Sequence, residues 1–183
     1  MDLIRQIRVF FWKRHFQHEQ ARLVRKRQMT GIEEAATIGI LFDASQQSTY
    51  DRVCDFIRNL QDKNKNVRAI GFVNAKAVPH YCIPRLFFDF FTLKDINWYY
   101  KPTKPFVSDF MAYDFNLCIN LDLHDNLSLQ YISGLSKAGL KVGVDGENNI
   151  RFYDLLLQMD DRNDLDDYIT QIVHYLSIIK THN

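Results

Sequence analysis

Apolar runs and helical periods alternate along this chain. The clearest case lies between Tyr113 and Gly143, YDFNLCINLDLHDNLSLQYISGLSKAGLKVG. Leu117-Cys-Ile-Asn-Leu121 is a short, mostly apolar run of the kind that a strand buried on both faces requires. Asp122 to Asn126 interrupts it. Leu127, Tyr131, Ile132 and Leu135 follow at helical spacing, and Gly139 reads as a helix stop. Leu140-Lys-Val142 is the next strand. Strand, helix, strand within about thirty residues is the size of one βαβ unit, whose crossover is right-handed and whose strands are parallel.

The first half repeats the unit. Thr37 to Phe42 is nearly continuous in apolar residues and ends at Asp43, as a parallel strand would. A helix is expected from Ser48 to Asp62, with Tyr50, Val53, Cys54, Ile57 and Leu60 on its apolar side and Ser45 or Ser48 as a cap. Lys63 to Asn66 reads as a turn, and Val67 to Val73 as a strand ending at Asn74. Pro79 and Pro84 then fragment the pattern. Leu86 to Phe91 is either a strand or an aromatic packing run, and Trp98 to Pro105 is a loop rich in aromatics and Lys. Past the turn signal Asp145 to Asn149, Ile150 to Leu157 predicts an antiparallel edge strand. A last helix is expected from Asp164 to about Lys180, with Asp164, Asp166 and Asp167 at its start and Lys180 and His182 at its end, as the helix dipole favours. The fold class that results is α/β, a mainly parallel Rossmann-like open sheet flanked by helices. The pattern leaves strand order open.

Residues 2–28 contain neither Gly nor Pro and read as one long helix. Leu3, Ile4, Ile7, Phe10, Phe11 and in part Trp12 share one side of it, whereas 17–28 is polar apart from Ala21, Leu23 and Val24. The expected organisation is a basic amphipathic helical extension over 1–30 and a single α/β domain over 36–183. A chain of 183 residues is too short for two full domains.

Charge sharpens the view of that extension. The formal net charge is only +1. Residues 1–30, however, carry Arg5, Arg8, Lys13, Arg14, Arg22, Arg25, Lys26 and Arg27 against Asp2 and Glu19, a net +6, and the remaining 153 residues carry 15 basic and 20 acidic groups, a net −5. No apolar run approaches the roughly 18 residues of a spanning helix, and no cleaved-signal pattern is present. The odd number of cysteines (Cys54, Cys82, Cys118) and their lack of metal-ligand spacing read as buried thiols in a reducing compartment. A cytoplasmic location follows as an expectation, with a peripheral position at the inner membrane open to the basic helix.

In open parallel sheets, ligands sit beyond the carboxyl ends of the strands. The polar residues at those ends are Asp43 and Ser45 after the first strand, Asn74 after the second, and Asp122, His124 and Asp125 after the Leu117 run. Asp43 and Asp122 could share a crevice and bind a cation or position a hydroxyl. The same residue types also cap helices and make turns, so both readings stay open. No G-x-G-x-x-G follows Phe42, and neither G-x-x-x-x-G-K-[ST] nor G-x-S-x-G occurs. No cofactor, metal or catalytic residue is therefore assigned. His124 is the best general-base candidate or simply a polar loop residue. His15 and His18 read as solvated side chains, and Cys82 beside His80 as packing.

The Trp98–Pro105 loop, with Lys101 and Lys104, suits single-stranded nucleic acid, a sugar face or a hydrophobic lid. For the N-terminal helix three readings compete. It docks on its own domain through the Leu3/Ile7/Phe10/Phe11 stripe, it lies in a membrane interface, or its basic face binds the phosphates of RNA or another acidic partner.

Tyr113-Asp-Phe-Asn-Leu-Cys-Ile-Asn-Leu-Asp122, with Ser133-Gly-Leu-Ser-Lys-Ala138 and Val142-Gly143, resembles a small uncharacterised family of Bacteroidota proteins with a domain of unknown function, over most of the chain from Thr37 onward. That family brings no activity with it. Over about thirty residues the same stretch is similar to the N-terminal half of heptosyltransferase-like two-domain glycosyltransferases, in which a YD-x-x-I-D-L strand leads to L-S-x-A-x-x-x-G. That likeness implies a shared scaffold, since the second Rossmann domain that holds the donor nucleotide in those enzymes has no counterpart here. The sequence thus points to a non-catalytic binding or adaptor domain tethered by its basic helix to a membrane surface or anionic assembly. The alternative is a ligand-binding or enzymatic Rossmann-like domain, of nucleotide or sugar type, that uses the polar strand ends.

Overall fold

Six strands line up in one sheet: β1 (Thr37–Asp43), β2 (Asn66–Val73), β3 (Phe88–Thr92), β4 (Leu117–Asn120), β5 (Leu140–Val144) and β6 (Leu155–Leu157). Their order is β3-β2-β1-β4-β5-β6 and every pairing is parallel. The computed structural model describes residues 3–84, 86–146 and 149–179. Five α-helices accompany the sheet: α1 (Leu3–Arg22), α2 (Gln47–Asp62), α3 (Pro105–Ala112), α4 (Leu127–Leu135) and α5 (Leu165–Ile178). The chain winds outward from β1 through β2 to β3, then crosses back to β4 and winds the other way. The order therefore reverses between β1 and β4.

Strand alternation sends each side chain to one of two cores. Ile38, Ile40 and Phe42 of β1 join Val53, Ile57 and Leu60 of α2 and Ile169, Ile172 and Leu176 of α5 on one face. Leu41 and Cys118 join Val107 and Phe110 of α3 and Leu129 and Ile132 of α4 on the other. Strands covered on both sides have no polar face, which is why these segments read as unbroken apolar runs.

A further layer lies outside α4. Trp12 and Phe16 of α1 are buried with Tyr131 and Leu135 of α4 and with Phe152 and Tyr153. Every residue of α4 from Ser128 to Leu135 is consequently buried. The N-terminal helix does dock on its own domain. It uses Trp12 and Phe16, one turn apart, and not the stripe Leu3/Ile7/Phe10/Phe11 that the periodicity favours.

The structure differs from the sequence reading in three further places. α1 ends at Arg22, and residues 23–30 run on without helix as a strap along the sheet's amino end. Gln28 N donates to Gly139 O (3.1 Å) and Ile32 N to Leu176 O (3.0 Å), contacts that the helix would have to forgo. β6 is a parallel strand of three residues, not an antiparallel edge. Past Asn149–Arg151, a 3-10 turn, the chain returns to the start of β5, where Asp154 N bonds Lys141 O (2.8 Å). Of the two readings open for Leu86 to Phe91, the strand holds, with Phe88–Thr92 beside β2. α3 opens at Pro105, whose missing N–H costs nothing at a first helical position. Lys180 and His182, expected to close the last helix, lie outside the described residues.

Candidate functional site

β1 and β4 are neighbours whose following connections leave in opposite directions, so their carboxyl ends bound the switch-point crevice in which sheets of this order hold ligands. Asp43 closes β1 and Asp122 follows β4 by two residues. Both line a single crevice of about 190 Å³, together with Ser45, Gln46, Thr49, His124 and Arg162.

Local turns position these groups. Asp43 Oδ1 accepts from Ser45 N (2.8 Å) and from the Ser45 hydroxyl, and Ser45 Oγ accepts from Asn74 N (2.8 Å). Asp122 Oδ2 accepts from Asn126 N (2.6 Å) and Oδ1 from His124 N (3.3 Å). Asn126 in turn caps α4 through Ser128 N and Leu129 N. Of the two helices that follow these strand ends, only α4 is thus capped by a side chain. At α2 the N-cap is Gln46, without a side-chain hydrogen bond, and not Ser45 or Ser48, because Ser45 Oγ is engaged by Asp43 and Asn74 and Ser48 lies within the helix.

Asp122 is 4% exposed. Burial pushes its carboxyl up to about 6, the Asn126 and His124 amides pull it back down, and the charge of Asp43 adds to the rise. One acid of the pair therefore changes protonation close to neutral pH. Carboxylates, the hydroxyls of Ser45 and Thr49, the His124 imidazole and the Arg162 guanidinium make a polar lining of acceptors and donors, which suits the hydroxyl groups of a small polar molecule.

The structure leaves two of the six proposed residues outside the crevice lining. Asn74 serves through its backbone N–H. Asp125, with a left-handed φ of 57°, turns to bind Arg162 Nη1 (2.6 Å), Asn149 Nδ2 (2.8 Å) and Gln130 Nε2 (3.1 Å). Sequence reasoning missed Arg162, which also bonds Leu123 O (3.3 Å) and Asp145 O and so clamps the loops after β4 and β5. The start of α5 follows β6, whose parallel direction puts it at the same end of the sheet as Asp43, and the antiparallel direction expected for that strand hid the link.

The basic residues of the N-terminal segment have separate fates. Arg8 lies over the Tyr100 ring (4.0 Å) and bonds Trp98 O. Arg25 pairs with Asp154 and donates to Ala138 O (2.8 Å), and Arg27 reaches the same carboxylate at 3.5 Å. Arg5, Lys13, Arg14, Arg22 and Lys26 are exposed. So are Leu3 (69%), Ile4, Ile7, Phe10 (60%) and Phe11, on the side of α1 away from Trp12 and Phe16. Trp98 (54% exposed) meets Phe11 edge-on at 5.0 Å and enlarges this apolar face. Within the aromatic loop, Tyr99 and Tyr100 pack against the α1–α4 cluster. His15 lies beside Lys101 Nζ (3.0 Å), where burial first and that ammonium second lower its pKa.

Among the described residues no helix is long and apolar enough to cross a membrane. No curated protein matches the chain. Residues 8–179 match the model of a family of unknown function, DUF6913. That span takes in the Trp12/Phe16 half of α1, the whole sheet and both carboxylates of the crevice, and the chain belongs to this family.

Proposed function

We propose that the protein is a non-catalytic cytoplasmic binding domain that α1 tethers to an anionic membrane surface. The observation that carries this reading is the exposed apolar face of α1, Leu3, Ile4, Ile7, Phe10 and Phe11, continued by Trp98, on a helix whose opposite face already holds it to the domain. Bulky apolar side chains flanked by Arg5, Lys13 and Arg14 are what an interfacial helix presents to lipid, with each nearby cation contributing about 1 kcal/mol on an anionic leaflet. Nucleic acid would engage the cations but leave Leu3, Ile4 and Ile7 in water, so a lipid surface fits better.

Sedimentation with phosphatidylcholine vesicles, with and without phosphatidylserine, tests it. The full chain is expected to pellet with the anionic vesicles, and Phe10→Glu/Phe11→Glu to stay in the supernatant with an unchanged unfolding midpoint. Equal pelleting of wild type and variant, or retention on bulk RNA in preference to vesicles, overturns the reading.

A second reading rests on a different observation, the shared crevice of Asp43 and Asp122 at the switch point. We infer that it receives a small polyhydroxylated molecule of sugar or nucleoside type, in keeping with the local likeness to glycosyltransferase halves. A thermal-shift screen of sugars and nucleosides should give at least one hit that Asp43→Asn removes. Hits that survive the substitution count against the crevice.

A further inference from the structure

The opposite end of the sheet holds a second cavity, of about 320 Å³, between the strap, the start of β5 and the turn before β6. Arg25 and Arg27 enter it from the strap, Lys141 from β5 and Arg151 from the 3-10 turn, while Asp154 is the one carboxylate among the described residues of its lining. That carboxylate is already committed. Its Oδ1 takes Arg25 and Arg27, and its Oδ2 accepts the backbone N–H of Lys141 at 3.0 Å.

Lys141 is the unusual member. It is 3% exposed on a central strand, and its ammonium donates to Gly134 O (2.7 Å). An ammonium has three donors, and among the described residues the other two find no protein partner. Lys141 and the largely buried Arg25 lie beside this one engaged carboxylate, and the exposed Arg27 and Arg151 stand at the rim, so the cavity is lined by more cationic than anionic groups.

We propose that this cavity binds a small dianion of the phosphate class, inorganic phosphate or the phosphate group of a monoester, held by Lys141, Arg25, Arg27 and Arg151. The volume lies at the small end of ligand cavities and excludes a polymer. Arginines supply forked donors that match phosphate oxygens, and Lys141 a point charge. Burial pushes Lys141 down to about 7, and Arg25 adds to the fall. Cys118 and Asp154 oppose it, and Arg27 works in the same direction as Arg25. A bound dianion would restore the charged form.

Calorimetric titration of the full chain with sulfate and with phosphate tests this, with chloride at matched ionic strength as the control. Saturable 1:1 binding is expected, with at least tenfold loss in Lys141→Met and a smaller loss in Arg27→Gln, whose exposed side chain the fold does not need. Sulfate keeps its charge near neutrality, so a drop in its affinity of about fivefold between about pH 7 and pH 8 would report Lys141, and that slope should vanish in Lys141→Met. Should Lys141→Met fail to fold, Arg27→Gln and the wild-type pH slope decide the matter. Unsaturable binding, or equal affinity in wild type and Arg27→Gln without a pH slope, overturns the proposal, and equal affinity in a folded Lys141→Met does so by itself. Vesicle sedimentation of Lys141→Met should match wild type, so this site and the membrane reading fail separately.

Discussion

Phe16 fills the space that a side chain at position 134 would need. A Cβ on Gly134 would stand 2.5 Å from Phe16 Cζ and 2.6 Å from Cε2, closer than carbon atoms approach. The ring is itself buried between Trp12 (5.3 Å, stacked) and Phe152 (5.0 Å, edge-on). The absence of one methyl group on α4 thus seats α1.

Gly134→Ala therefore sets two effects against each other. Alanine favours a helix interior by about 1 kcal/mol, and overpacking costs about 1–3 kcal/mol. The expected result is a small net loss of stability with a local signature, faster proteolysis within α1. Phe16→Ala, which leaves a cavity, should cost about 3–5 kcal/mol in urea unfolding.

Asp122 gives a pH dependence whose sign runs against the common case. Its folded pKa of about 6 lies above the usual value of 3.8, so the folded state binds the extra proton. Its contribution to stability is fully present below the unfolded value and is lost as pH rises through about 6. Compared by urea midpoint, wild type should gain on Asp122→Asn as pH falls from about 7 to about 4, by roughly 2–3 kcal/mol in all. A constant difference across that window would contradict the burial argument.

Tyr153 accepts a hydrogen bond from Asn120 Nδ2 at 2.6 Å in the interior, and its ring lies where a Cβ on Gly143 would be. Tyr153→Phe keeps the ring and strands the amide. A loss of about 1–3 kcal/mol is expected from chemical unfolding, with the near-ultraviolet spectrum otherwise native in shape.

Burial pushes the thiols of Cys82 and Cys118 up to about 11. For Cys82, the neighbouring Cys54 adds to the rise. For Cys118, Lys141, Ser136, Ser133 and Arg25 oppose it. Since the thiolate is the reacting species, Ellman titration at neutral pH should find the half-buried Cys54 first, and Cys82 and Cys118 only once the chain is denatured.

Much of this architecture was legible because its cause is local. The runs at Thr37, Val67, Leu117 and Leu140 are apolar because helices cover both sheet faces, and the period of α5 follows from its single buried side. What failed depends on partners far along the chain. The direction of β6 is set by where Asp154 meets Lys141, which no pattern inside residues 150–157 records. α1 carries apolar residues on two sides, and periodicity favoured the larger group although Trp12 and Phe16 are the pair that α4 accepts. Pro105 reads locally as the end of a loop, yet proline also suits the first turn of a helix, and here it opens α3. At the crevice, Asp43, Ser45, Asp122 and His124 were found because strand ends can be read. Arg162 was not, because its place depends on the direction of β6.

The segment before β1 makes its contacts with parts of the chain synthesised much later. Gln20 bonds Arg151, 131 residues on, and Arg25 meets Asp154, 129 residues on. At about 5–20 residues per second of synthesis, the segment waits roughly 6–26 seconds before these partners have been made. During that time Trp12 and Phe16 stand open beside Phe10 and Phe11, so a helix that ends up with one bare apolar side begins with two. The segment before β1 is thus settled only after the chain has been made through Asp154.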